Sequence, residues 1–152
     1  MVIGKLKACG IETVEHCYPG DDEALITEKI AEYKAKGVDM ILCTGGMSVD
    51  PDDRTPGAIK RSGAQIVTYG APVLPGAMFL LSYYDAGDRL VPICGLPGCA
   101  MYNKRTIFDI VLPRLMACDM ILADELAGLG EGGLCLNCDV CTFPNCGFGK
   151  GF

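Results

Sequence analysis

Apolar residues recur at Val2, Ile3, Leu6 and Cys9 and stop at Gly10, a spacing that predicts the last turns of a helix closed by glycine. Residues 11–14 then read as a short strand. Beyond the turn Tyr18-Pro19-Gly20-Asp21-Asp22, where either aspartate can cap, Leu25, Ile26, Ile30 and Tyr33 give the apolar stripe of a helix running to Gly37. Residues 38–43 (VDMILC) form an apolar strand that runs straight into Thr44-Gly45-Gly46. A short helix at 56–61 and a strand at 64–69 follow, and a further strand at 90–94 leads into Gly95-Leu96-Pro97-Gly98. Between those two strands, residues 70–78 are unusually apolar for a loop, as expected of a segment that covers a core edge or lines a pocket. Residues 99–117 read as one long helix, kinked or interrupted at Pro113.

Strands that alternate with helices imply right-handed crossover units and so an α/β fold with a mainly parallel sheet, covered on both faces. In such sheets ligands sit beyond the carboxyl ends of the strands, where the glycine turns after Cys43 and Cys94 are both expected. From Asp124 the pattern dissolves into Gly128, Gly130, Gly132, Gly133 and a cluster of cysteines. The expected organisation is a domain over residues 1–123 and a Gly/Cys-rich tail over 124–152. A chain of 152 residues suits one domain with a core of its own.

Composition narrows the function. A net charge of −6 argues against nucleic acid, whose phosphates are held by clustered Lys and Arg. No apolar run reaches the roughly 18 residues that a membrane span needs. The first residues, Met1-Val-Ile-Gly-Lys-Leu, carry neither a long apolar stretch nor a small-residue cleavage site, so a reducing cytoplasm is the expected compartment. Ten cysteines are too sparse in a chain with this much core for a small disulfide scaffold. Six of them (Cys9, Cys17, Cys43, Cys94, Cys99, Cys118) stand singly beside apolar residues and read as small hydrophobes. The other four, Cys135, Cys138, Cys141 and Cys146, form a C-x2-C-x2-C-x4-C run with metal-ligand spacing.

Two turns suit an anion. In Thr44-Gly45-Gly46-Met47-Ser48, the glycines allow close approach of backbone N–H groups, and Thr44 and Ser48 add hydroxyls. Asp50, Asp52 and Asp53 behind them would coordinate Mg²⁺ or accept from a ligand's amino groups; the competing reading is a solvated turn whose aspartates cap the next helix. Gly95-Leu96-Pro97-Gly98, opening the helix expected at 99, would offer free N–H groups and a positive dipole end, or serve only as a tight turn. His16 reads as an ordinary surface or strand residue. No nucleophile elbow, phosphate-binding P-loop or dinucleotide fingerprint is present.

The string from Thr44-Gly45-Gly46 to Asp53-Arg54-Thr55-Pro56 resembles the signature loop of the molybdopterin-binding domain found in molybdenum cofactor biosynthesis proteins, of the molybdopterin adenylyltransferase and molybdenum insertase type. Three more matches keep the family's order: Asp21-Asp22 before a helix, Pro75-Gly76 for a Pro-Gly-Lys-Pro element, and Leu96-Pro97-Gly98 for a Leu-Pro-Gly-Asn-Pro turn. The resemblance spans roughly residues 1–117. It implies a three-layer α/β/α sandwich that binds molybdopterin or the molybdenum cofactor, often as a homotrimer or homodimer, with ATP and Mg²⁺ as further partners where the member is an enzyme. Thr44, Gly45, Gly46 and Ser48 match the cradle, Asp53 matches the functional acid, and Asp21 and Asp22 match a second acidic position; Asp50, Pro75, Gly76, Leu96, Pro97 and Gly98 complete the implied cofactor set. Ala77-Met78 stand in place of Lys-Pro and Cys99-Ala100 in place of Asn-Pro, which removes a cationic phosphate contact and an amide. The family domain opens with a central strand and a Gly-Asp/Asn-Glu turn, whereas this sequence starts within the helix after them, so the sheet is expected to lack its first strand.

The resemblance does not account for the last four cysteines. Their first three match the ferredoxin run, while the final gap is one residue longer and Gly147 rather than Pro follows Cys146. A 4Fe–4S cluster and a tetrahedral Zn²⁺ both remain open on spacing, with redox-active or uncommitted thiols as the plain alternative. The leading expectation is a molybdopterin-binding protein acting in cofactor synthesis, delivery or sensing; the competing one is a redox or regulatory metal module on an inert α/β scaffold.

Overall fold

After the glycine that closes the second helix, the apolar run becomes β1 (Ile41–Thr44), followed along the chain by β2 (Gln65–Tyr69), β3 (Leu80–Asp85) and β4 (Leu90–Leu96). In the computed structural model, which describes all residues except Thr13, Val49, Pro51, Gly151 and Phe152, these strands form one sheet in the order β1-β4-β3-β2. β1 runs parallel to β4, and β3 runs antiparallel to both β4 and β2. The α/β class holds, but the sheet is mixed rather than mainly parallel. The cause is β3, which the hydrophobic pattern did not mark as a strand. A short turn joins it to β4, with the Ala86 N–H donating to the Arg89 carbonyl at 3.0 Å and Gly87 at φ +94°, and a hairpin can only be antiparallel.

The chain divides into two compact units: one of residues 13–69 and 78–98, which holds the sheet, and one of residues 1–12, 70–77 and 99–152. In the sheet unit, α2 (Glu23–Lys36) starts where the Asp22 carboxylate accepts from the Ala24 and Leu25 N–H groups at 2.8 and 3.1 Å. It ends at Gly37, φ +71°, where the Val38 and Gly37 N–H groups return to the Tyr33 and Lys34 carbonyls. Ile26 and Ile30 of α2, with Ala58 and Ile59 of α3 (Thr55–Arg61), pack on Ile41, Leu80 and Ile93, which the register places on one sheet face. Leu81, Cys94 and Leu96 on the opposite face are closed to solvent as well. Burial pushes the Cys43 thiol up to about 12 and raises that of Cys94 further, so both stay neutral. Of the six single cysteines, Cys94 is buried and Cys43 and Cys99 are half-buried, whereas Cys9, Cys17 and Cys118 are exposed and contribute little to a core.

In the other unit, α1 (Val2–Ala8) ends as its glycine predicts: Gly10 and Ile11 donate to the Lys7 and Leu6 carbonyls at 2.9 and 3.1 Å. That closure engages the Ile11 N–H, and the expected strand at 11–14 does not form at the described residues Ile11, Glu12 and Val14; Thr13 lies outside them. The long helix expected from 99 is also shorter. Residues Gly98–Met101 make a 3-10 turn, and α4 (Ile107–Met116) begins only after Thr106, whose hydroxyl accepts from the Phe108 N–H while Asp109 accepts from the Thr106 N–H at 2.8 Å. This Thr-x-x-Asp box sets the start, and Pro113 is carried inside the helix. Asp109 is a buried acid held by two cations, Lys5 of α1 at 2.5 Å and Arg105 at 3.0 Å. α5 (Ala123–Gly128) and a 3-10 turn at Leu129–Gly132 lead into the cysteine segment. Among the described residues no helix is long and apolar enough to cross a membrane.

Replacing Asp109 by Ala should lower the unfolding free energy by about 3 kcal/mol, because it leaves Lys5 charged and unpaired within the fold. Urea titration of the single variants and the double variant checks this: adding Lys5→Met should return part of the loss, and strictly additive losses would refute the pairing. A second expectation concerns pH. The two sheet thiols ionise in the unfolded chain near the ordinary value of 9.0 but stay protonated in the fold. Their contribution is therefore full below that value and is lost as pH rises through it toward the folded pKa. The urea midpoint should fall between about pH 8 and pH 10, and the fall should shrink in a Cys43→Ala, Cys94→Ala variant.

Candidate functional site

The parallel pairing of β1 with β4 sets Thr44 opposite Leu96, so the Thr44-Gly45-Gly46 and Leu96-Pro97-Gly98 turns leave the same sheet edge from neighbouring strands. Adjacent strands lie about 4.8 Å apart, which brings the two turns side by side at the carboxyl ends. Gly45 and Gly46 adopt φ +85° and +58°, a left-handed pair that other residues enter at a cost. At Gly46 a side chain is excluded twice over, since a Cβ there would also come to 2.9 Å from the Thr55 hydroxyl. Thr55 is buried and donates to the Gly45 carbonyl at 2.9 Å, closing the turn from the start of α3. By contrast, a Cβ on Gly45 or Gly98 would meet no atom within 4 Å, so the backbone at both turns opens onto free space.

The loop after Gly46 is tied down rather than loose. Met47 is 3 % exposed and lies against Gly95 of β4, where a side chain would overlap its sulfur and terminal methyl. The Tyr69 hydroxyl at the end of β2 donates to the Ser48 carbonyl at 2.9 Å and approaches that of Met47 at 3.3 Å. Partial burial and, second, the charge of Asp53 raise the Tyr69 phenol above its ordinary value, so it stays a donor. The Asp53 carboxylate accepts from the Ser48 N–H at 2.6 Å, and its own N–H donates to the Asp50 carbonyl at 2.9 Å. Asp50 accepts from the Asp52 N–H at 3.1 Å, and Asp52 pairs with Arg54 at 3.6 Å.

The predicted residues thus fall into groups. Thr44, Gly45, Gly46, Ser48, Asp50 and Asp53 form one loop, neighboured by Leu96, Pro97 and Gly98. The Ser48 N–H, a candidate anion donor, is already taken by Asp53, which leaves its hydroxyl, Thr44 and the glycine backbone for a ligand. Asp22 is engaged as the cap of α2, and Asp21 is an exposed residue of the preceding turn. The anion site expected at a helix after Gly98 is not built, because a 3-10 turn stands there instead of a long helix. Pro75 and Gly76 belong to the other unit. There the Pro75 carbonyl accepts from the Ile107 N–H at 3.1 Å, and Gly76, at φ +130°, packs against Ile107 too closely for any side chain. Gly95, expected to open the second turn, is instead paired with Leu80 inside β4, where it makes room for Met47. Thr55 and Tyr69 were not among the expected site residues, and while a Thr-Pro pair opening a helix hints at the first, nothing in the local sequence marks the second.

The four tail cysteines are brought together around one concavity of about 270 Å³. Cys138 is exposed and the other three are half-buried. The Phe143 N–H and then the Arg105 guanidinium hold the Cys141 thiol below the usual cysteine range. Among the described residues no three His, Cys, Asp or Glu side chains are grouped as a ligand set for one metal ion.

Comparison with known proteins bears on the family of the chain. A family profile described as a probable molybdopterin binding domain matches residues 1–117. Over 117 residues the chain is 27% identical to a protein named molybdopterin molybdenumtransferase from Synechococcus elongatus, a match that takes in 77% of this chain and 28% of that protein. The chain therefore spans less than a third of that relative's length.

The turn geometry gives a test of its own. Gly46→Ala should destabilise the protein by about 1–2 kcal/mol and raise amide hydrogen exchange across residues 45–55 more than elsewhere. Unchanged protection in that segment would show that the Thr55 contact does not hold the turn.

Proposed function

This chain belongs to the family of probable molybdopterin-binding domains, and from that premise we propose that it binds molybdopterin or the molybdenum cofactor at the paired turns after β1 and β4, in the synthesis, delivery or sensing of the cofactor. The observation that carries the reading is the placement of Thr44 opposite Leu96, which lines up two glycine turns with open backbone at one sheet edge. The chemistry of the donors fits a pterin phosphate. Backbone N–H groups of Gly45 and Gly46 and the hydroxyls of Thr44 and Ser48 suit the phosphate, and the carboxylates of Asp50 and Asp53 suit the amino-pyrimidine edge.

In this reading Asp53 has two tasks: one oxygen fixes the Ser48 N–H, and the charge faces the cofactor. Asp21 and Asp22 supply a second acidic position. Ala77 and Cys99, at positions where the family carries Lys and Asn, weaken the grip on a phosphate. Among the three roles this favours holding or sensing the cofactor over nucleotidyl transfer or metal insertion. A homodimer or homotrimer and a cytoplasmic location accompany the reading, with ATP and Mg²⁺ as partners of its enzymatic version. Metal at the tail cysteines stands apart from it.

Protein purified anaerobically should yield a fluorescent oxidised pterin or take up added molybdopterin; failure of both would sink the reading. Asp53→Asn separates the two tasks of Asp53, since the amide oxygen can still accept from Ser48 while the charge is gone. Binding should weaken about tenfold or more, the scale of one charge-assisted hydrogen bond, in a variant of unchanged thermal stability. Incubation with ATP, Mg²⁺ and molybdopterin divides the roles: an adenylylated product would establish transfer, and intact binding without product would leave a carrier or sensor.

A further inference from the structure

We propose that Cys135, Cys138, Cys141 and Cys146 hold a cubane 4Fe–4S cluster in the cavity they line, a site independent of the pterin reading. Spacing alone leaves a single zinc ion equally open; the make-up of the cavity wall favours the cluster. All four cysteines border the same space of about 270 Å³, whereas a single Zn²⁺ would need its four thiolates drawn to about 2.3 Å from one point. A cubane instead gives each thiolate its own iron at its own corner, so ligands spread around the wall of a cavity are what it needs.

Four features of the wall suit that occupant. Asn137, between the first two cysteines, sits at φ +51° and curls the chain so that the short x2 intervals bend around the space. Arg105 lines the cavity, and its Nε is buried with no hydrogen-bond partner among the described residues. Buried donors are normally satisfied, and a cluster sulfide is an acceptor of the kind this one lacks. A cubane with four thiolates is anionic, and in a chain of net charge −6 this cavity carries two cations, Lys104 and Arg105, against one acid, Glu131. Phe143 and Phe148, with ring centroids 6.1 Å apart, add an apolar wall that limits access of water to the sulfides.

The chain is held in this arrangement by close backbone packing, which is what the glycines before it are for. The Cys135 N–H donates to the Leu74 carbonyl at 2.8 Å, and the Gly149 N–H to that of Gly132 at 2.8 Å. A side chain on Gly132 would overlap the Gly147 and Lys150 backbone, and one on Gly133 the Pro72 carbonyl. The segment is thus fastened at both ends, before the first cysteine and after the last.

The test uses the full chain, purified anaerobically and reconstituted with ferrous iron and sulfide in dithiothreitol, then desalted, with iron, acid-labile sulfide and zinc measured on one sample. The expected result is about four iron and four sulfide per chain, with a broad visible absorption that dithionite bleaches. Cys138→Ser and Cys146→Ser should each retain at least about fourfold less iron, while Cys9→Ser and Cys118→Ser, at exposed positions outside the cavity, should match the parent. Should a tail variant fail to fold by circular dichroism, the stoichiometry of the parent still decides. One tightly held zinc without iron, two iron per chain, disulfides among the four thiols with no metal, or equal iron loss in Cys9→Ser would each overturn the proposal.

Discussion

The parallel pairing of β1 with β4 is the contact on which the candidate site depends. Parallel neighbours cannot be joined by a tight turn, so the chain must leave β1 after Thr44 and come back beside it only as β4, from Leu90. It does so through α3 and the two antiparallel strands β2 and β3. The return also fixes the loop itself, because Met47 seats on β4 at a position kept bare by Gly95. A loop anchored into the core by one side chain and braced by Thr55, Asp53 and Tyr69 presents its glycine backbone in one conformation. Less ordering then remains for a ligand to impose, the basis of preorganised binding.

The same bracing gives the loop's aspartates a meaning that spacing could not. Three acids in four residues look like a metal or amino-group site, or like a solvated turn. In the structure Asp50 and Asp53 build the turn through main-chain N–H groups, with Asp50 exposed and Asp53 half-buried. The two readings are therefore not exclusive, since a carboxylate that accepts from one N–H has further lone pairs for a ligand.

What the sequence revealed, and what it hid, divides along physical lines. Helix ends were legible because capping is local: Gly10, Gly37 and Asp22 act as their positions imply. The two glycine turns were legible for the same reason, each following an apolar strand. β3 was hidden because its buried pattern, Leu80 to Tyr83, comes from packing on both faces and lacks the alternation of a half-buried strand. The start of α4 was missed where a Thr-x-x-Asp box stood inside a run of helix-compatible residues, and the strand at 11–14 was overcalled because pairing partners are not written locally. The exposure of Cys9, Cys17 and Cys118 shows the same limit, since an apolar neighbour in sequence need not be a neighbour in space.

The tail raises the question of how an irregular, glycine-rich segment holds a defined cavity without much regular structure. Part of the answer is the first turn of α4. Arg105 gives one guanidinium nitrogen to Asp109 at 3.0 Å, stacks over Phe143 at 4.7 Å from the ring centroid, and so is fixed from two sides while its Nε stays unpaired. Asp109 is itself fixed by Lys5 and by the Thr106 N–H. One buried carboxylate therefore starts a helix, ties α1 to α4 and holds a cation beside the cysteines. The chemistry of the two sites then differs as their donors do: backbone N–H, hydroxyl and carboxylate groups at the sheet edge suit a hard, phosphate-bearing ligand, and thiolates beside a guanidinium suit a soft metal. With the two types of donor on separately braced frames, neither set competes for the other's kind of ligand.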